Sequence, residues 1–123
     1  MKTLSAMLAV AALTSAQAYA DCSYPHAPDK FPDGSTATRD QMIAAMTQMK
    51  SYNSEVKAYT DCLKLEHDTA LAKADPKMSK EQKDEIEKVY VQKNDAAVDE
   101  ATAVTNRFNE QVRAFNAKKK EKG

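Results

Sequence analysis

The sequence predicts an all-α protein: a long antiparallel two-helix hairpin with an extended proline-rich N-terminal arm stapled back onto it by a disulfide. Three observations predict this. The 123 residues include only two glycines and no tryptophan, while alanine, lysine, glutamate and glutamine abound, a composition that favours helix and denies a β-rich fold its turns. Two capping boxes each precede a long run free of glycine and proline, as helix starts do. Finally, the two cysteines fall one ahead of the first such run and one inside it.

The first element is a leader. Lys2 gives a positive start, Leu4 to Leu13 an apolar stretch, and Ala18-Tyr19-Ala20 the small-x-small pattern of a cleavage site, so residues 1–20 read as a signal peptide removed before Asp21. The apolar run is shorter than the roughly 20 residues a spanning helix requires. The mature protein is therefore expected to be periplasmic or secreted and not membrane-spanning. Asp21 directly before Cys22, with Tyr19 three positions before that cysteine, is a poor lipid-attachment signal.

An arm over 21–37 comes next. Pro25, Pro28 and Pro32 each push the preceding residue towards extended geometry. Pro32-Asp33-Gly34 then supplies turn chemistry. In an oxidising compartment the pair Cys22 and Cys62 is expected to form one intramolecular disulfide, and closing a loop of that size stabilises a fold by about 4 kcal/mol in the chain-entropy model. About 16 residues between Cys22 and the first helix reach about 53 Å when extended, whereas Cys62 lies about 24 residues, or about 36 Å, up that helix. The bond can close only if the arm doubles back along the hairpin, laying Tyr24 and Phe31 on the helix seam.

Thr38-Arg39-Asp40-Gln41 is the first capping box and Ser79-Lys80-Glu81-Gln82 the second. They predict helices over about 39–74 and 80–117, with Asp75-Pro76 stopping the first; residues 38–117 form the hairpin and 118–123 a basic tail, read as a frayed helix end whose lysines complement the helix dipole. Met42, Ala45, Met49, Tyr52, Val56, Tyr59, Leu63 and Ala70 recur at alternating three- and four-residue steps, as do Ile86, Tyr90, Ala97, Ala101, Val104, Phe108, Val112 and Phe115. Each set forms one stripe. Folding about residue 77 sets Met42 near Val112, Val56 near Val98 and Leu63 near Val91. Val91 and Val98 widen the second stripe beyond what one partner helix covers, so the arm, or a homodimer forming a four-helix bundle, is expected to cover the rest.

The 18 basic and 18 acidic residues balance, so nothing in bulk charge points to nucleic acid. With Gly34 and Gly123 as the only glycines, there is no phosphate-binding loop, and no nucleophile elbow or H-E-x-x-H pair occurs. An enzyme is not expected, and no cofactor is implied. Two metal arrangements are candidates: His26 with His67, if the disulfide brings them together, and Met42, Met46 and Met49, whose thioethers would suit copper(I). Candidate interaction residues are Tyr52 and Tyr59, Val91 and Val98, and the tail lysines Lys118, Lys119 and Lys120. The lysines would meet an anionic envelope component.

The run Cys22-Ser-Tyr-Pro25-His-Ala-Pro28-Asp-Lys-Phe-Pro32-Asp33-Gly34, followed by a capped helix carrying Met42, Tyr52, Tyr59 and Cys62, resembles small exported, functionally uncharacterised proteins of proteobacteria. The likeness covers about the first half of the mature chain and implies the architecture above, with no activity attached. The outline is also similar to periplasmic helical-hairpin chaperones, although the L-T-x-x-Q repeat of the small stress-induced ones is missing. The resulting expectation is a non-enzymatic helical protein that binds an envelope protein or acts as a weak chaperone, with periplasmic copper or zinc handling as the alternative.

Overall fold

In a computed structural model the chain forms two helices in an antiparallel hairpin, with the arm laid along one face. The structure describes residues 21–73 and 76–122; the leader falls outside them. Helix α1 runs Arg39–Ala72 and α2 runs Lys80–Glu121. Both starts are the predicted capping boxes. The Thr38 hydroxyl accepts from the Gln41 amide at 3.2 Å, and the Gln41 side chain accepts from the Thr38 amide at 2.8 Å. Ser79 and Gln82 repeat the exchange at 3.2 and 2.9 Å, so each helix begins with two orphan donors satisfied.

The ends differ from expectation. Helix α1 stops at Ala72, and the Lys73 amide donates to the Thr69 carbonyl at 2.9 Å; the expected last residue, Ala74, lies outside the described residues. Helix α2 continues beyond the expected boundary at Ala117 to Glu121, so the basic tail is the helix's last turn. A tertiary contact is the cause: Lys118 Nζ donates to the Ala37 carbonyl at 2.6 Å, and both Lys118 and Lys119 stand over the Phe115 ring, at 5.0 and 5.2 Å. These contacts hold the last turn of α2 against the arm's end, and its lysines also complement the negative end of the helix dipole.

The core follows the two stripes. One cluster joins Met42, Ala45, Met49 and Tyr52 of α1 to Val104 and Phe108 of α2, with Ala37 at its end and Val56, Ala101, Val112 and Phe115 around it. A second joins Tyr59 and Leu63 to Ala97, with Cys22 and Tyr90 against it. Ala45 and Ala97 are almost wholly buried, and small residues there leave room for the Phe108 and Tyr59 rings, respectively, from across the seam. The expected neighbour of Leu63 was Val91; Tyr90 fills that place instead, and Val91 points outward at 41% exposure. A one-residue offset turns a helix by about 100°, enough to exchange an inward for an outward position.

The disulfide joins Cys22 to Cys62 with the Cα atoms 5.7 Å apart. From there the arm descends antiparallel to α1. The Tyr24 ring meets Tyr59 edge-on at 5.1 Å and its hydroxyl donates to Glu100 at 2.5 Å. Donation to a carboxylate pushes the Tyr24 phenol up to about 12, with burial adding to the effect. The His26 amide donates to Glu55 at 2.8 Å, and Phe31 packs on Phe108 at 5.4 Å under the Arg107 guanidinium. Asp33 closes the arm: its carboxylate accepts from the Ser35 amide and hydroxyl, and its carbonyl from the Thr36 and Ala37 amides.

Gly34 sits where the arm touches α2 most closely. Its amide donates to the Gln111 side chain at 2.9 Å, and a Cβ added there would lie 1.9 Å from the Gln111 carbonyl oxygen and 2.9 Å from the Phe115 nitrogen. The atoms in the way are backbone, so no rotamer change relieves the clash. Gly34→Ala should therefore destabilise the fold by about 2 kcal/mol, as overpacking of a tight contact does, read from the shift in urea midpoint. Cys22→Ser should cost about 4 kcal/mol while the helix content of the hairpin persists by circular dichroism.

Candidate binding surfaces

The arm decides which of the candidate residues meet solvent. Tyr52 is 1% and Tyr59 7% exposed, because the arm lies over both, so neither belongs to an interaction surface. The Tyr52 hydroxyl is fully enclosed with no hydrogen-bond partner; burial, with Glu100 close by, raises its pKa. Val91 and Val98 remain outside, the latter 44% exposed. Lys118 is committed to Ala37 and Phe115, whereas Lys119 and Lys120 are exposed.

The two histidines are not brought together. His26 is exposed and its Nδ1 lies 3.4 Å from Glu55, whereas His67 sits 12 residues further along α1 than Glu55, about 18 Å of helix. The disulfide sets the arm's start at Cys62 and the arm then runs away from His67, which separates the pair. The methionines divide as well: Met42 and Met49 are core residues, while Met46 is half exposed. Among the described residues one group offers three ligand atoms within 4.8 Å of one another, Cys22, Cys62 and Glu66. Its two sulfurs are bonded to each other, so no thiolate is present to bind a metal.

Beyond Cys62 the hairpin extends past the start of the arm, and there the seam is open. Leu63 and Ala70 of α1 and Ile86, Val89 and Tyr90 of α2 line a groove of about 430 Å³, rimmed by Glu66, Glu85 and Lys93. That volume lies within the range of small-ligand and side-chain clefts. No motif announces this groove. The signal was available all the same: the apolar stripe continues to Ala70 and Ile86, and a disulfide at Cys62 ends the arm's cover short of them.

His67 locks this end of the hairpin together. Its ring lies on Tyr90 at 4.6 Å, Nε2 is 2.6 Å from Glu87 and Nδ1 is 3.2 Å from Asp68. Folding about residue 77 sets 67 opposite 87, so the pair follows from the register. The bond to Asp68 is the main cause that raises the His67 pKa above its ordinary value; burial opposes it, and the bond to Glu87 adds a further lift. Elsewhere the charges form exposed pairs along one helix, such as Lys57 with Asp61 at 2.6 Å and Lys80 with Asp84 at 2.5 Å, each worth a few tenths of a kcal/mol.

These features define a class of protein: a helical hairpin clamped by its own disulfide-tethered arm, whose concave surfaces are apolar grooves at the seam between two helices. No protein-family model, curated protein or solved structure matches the chain. Among the described residues, no helix is long and apolar enough to cross a membrane.

The raised His67 pKa fixes the sign of a pH effect. Its stabilising contribution is complete below the unfolded histidine value of about 6.5 and is lost as pH rises through the higher folded value. Thermal melts of the wild-type protein should therefore fall between pH 6 and pH 9 relative to those of His67→Gln, in which this dependence is removed. Parallel slopes for the two proteins would show that the Glu87 contact carries no pH-linked stability.

Proposed function

We propose that the protein is exported, loses residues 1–20, and works in the periplasm or outside the cell as a non-enzymatic binding protein that holds extended apolar segments of envelope polypeptides, in the manner of a weak chaperone. The leader pattern and the disulfide support the location. The observation that carries the binding role is the open groove beyond Cys62, which prolongs the track that the arm itself occupies. The arm is a built-in example of what that track accepts: an extended, proline-rich strand anchored by aromatic rings seven residues apart, Tyr24 on Tyr59 and Phe31 on Phe108. A segment of another polypeptide with similar anchors would continue along the seam, its side chains on Ile86, Val89 and Tyr90. Glu66, Glu85 and Lys93 at the rim would orient polar flanks.

A labelled peptide copying residues 23–33 tests this against the mature protein, with an analogue lacking both aromatic rings as control. The expected result is binding at micromolar level, at least about 10-fold weaker for the analogue and for Val89→Asp. Delayed aggregation of an unfolded envelope protein, lost in Val89→Asp, is expected alongside. Equal binding of peptide and analogue, or the same binding by Val89→Asp, would overturn the reading.

A further inference from the structure

The face of the hairpin opposite the arm is uncovered, and its charges stand along its edges. Helical periodicity places Val91, Asn94, Val98, Ala101, Thr105 and Val112 along it on α2. The charged residues of the same stretch fall elsewhere: Glu100 and Arg107 touch the arm, and the turn of the helix carries Asp95, Asp99 and Arg113 to the outer side. Helix α1 adds Met46, Val56 and Thr60. In a chain with 29% charged residues, a neutral strip some 25 residues long is the composition of an interface centre, where charge is depleted. A solvated helix face of this chain looks different, as the Lys57–Asp61 and Lys64–Asp68 pairs show.

We infer that this face binds a second copy of the chain, packed parallel, to form a four-helix bundle. Size is the first argument. The strip is about 38 Å long and two helices, about 20 Å, wide, or about 750 Å² per copy, close to the roughly 800 Å² per partner of a standard stable interface. Charge is the second. Lys50, Lys57 and Lys64, seven residues apart, line the outer edge of the face on α1, the latter two beside Asp61 and Asp68 of their own helix, while Asp95 and Asp99 line the middle of the edge on α2, with Arg113 further along it. A two-fold axis along the hairpin lays α1 of one copy on α2 of the other and sets Lys57 level with Asp95 of the second copy. A two-fold axis across the hairpin would instead stack the lysine edge on itself. Shape agrees with this order. Val56, Val98, Ala101 and Thr105 border a shallow depression of about 280 Å³, and in the parallel arrangement Val98 of the second copy arrives at the level of Val56, a protruding side chain entering a hollow.

Sedimentation equilibrium of the mature protein, residues 21–123, from about 1 to about 200 µM decides the matter. The expected result is twice the chain mass across most of that range. Val98→Glu should weaken association by about 100-fold or more with unchanged helix content and an intact disulfide, and Val89→Asp in the groove should leave it unaltered. The charge swap Lys57→Glu should weaken it and Lys57→Glu with Asp95→Lys restore it. Spin labels placed singly at Glu87 and at Asn116 should give similar short separations between copies. A single-chain mass throughout, or a Val98→Glu protein that associates as the wild type does, would overturn the dimer; a short separation at neither end would overturn the parallel order. A single-chain mass with peptide binding intact would leave the groove reading standing, so the two fail separately.

Discussion

An arm rich in proline has no secondary structure of its own to hold it in place. Between Cys22 and Thr38 it makes two aromatic contacts and a few hydrogen bonds to the helices, against an ordering cost of about 1–2 kcal/mol for each backbone residue fixed. The Cys22–Cys62 bond changes that balance, because it confines the arm's far end beside α1 in the unfolded chain as well as in the folded one. With that end held, Tyr24 and Phe31 need only settle onto rings a short distance away. The hairpin in turn depends on the arm: Tyr52 and Phe108 would otherwise face water across a seam only two helices wide, too thin to bury them.

The same tether creates two environments along one seam. Below Cys62 the apolar stripes are roofed, and the tyrosines there are structural. Above it they are open, and the hairpin is held by the packing of Tyr90 and by the ionic contact of His67 with Glu87. The buried half derives its strength chiefly from apolar contact, whereas the open half is joined through a histidine whose pKa its carboxylate partners raise.

Much of this was legible in the sequence because the signals are local. Thr38 and Ser79 each sit three residues before a glutamine, and both helices start where that spacing says. The register was legible too, since a turn centred near residue 77 sets Val56 by Val98, and both border the same depression. What escaped was what depends on contacts distant in sequence. Lys118 reaches Ala37, 81 residues away; the lysine run reads locally as a helix end, but no local pattern encodes that contact. The spacing of Tyr52 and Tyr59 favours packing under the arm, yet it leaves a ligand surface open until the path of the arm is known. The groove is a place where cover stops, and amphipathic periodicity records apolar residues without recording what lies over them.

One end of the described chain has an unusual address. Asp21 precedes the half-cystine that is fixed next to Glu66, at the lip of the open groove, whereas Lys122 lies at the opposite pole, about 45 Å down the bundle. Anything joined ahead of Asp21 emerges at the groove's doorway, and anything joined after Lys122 emerges far from it. The sulfur bridge that anchors the strand thus also sets which part of the chain stands at the threshold of the cleft.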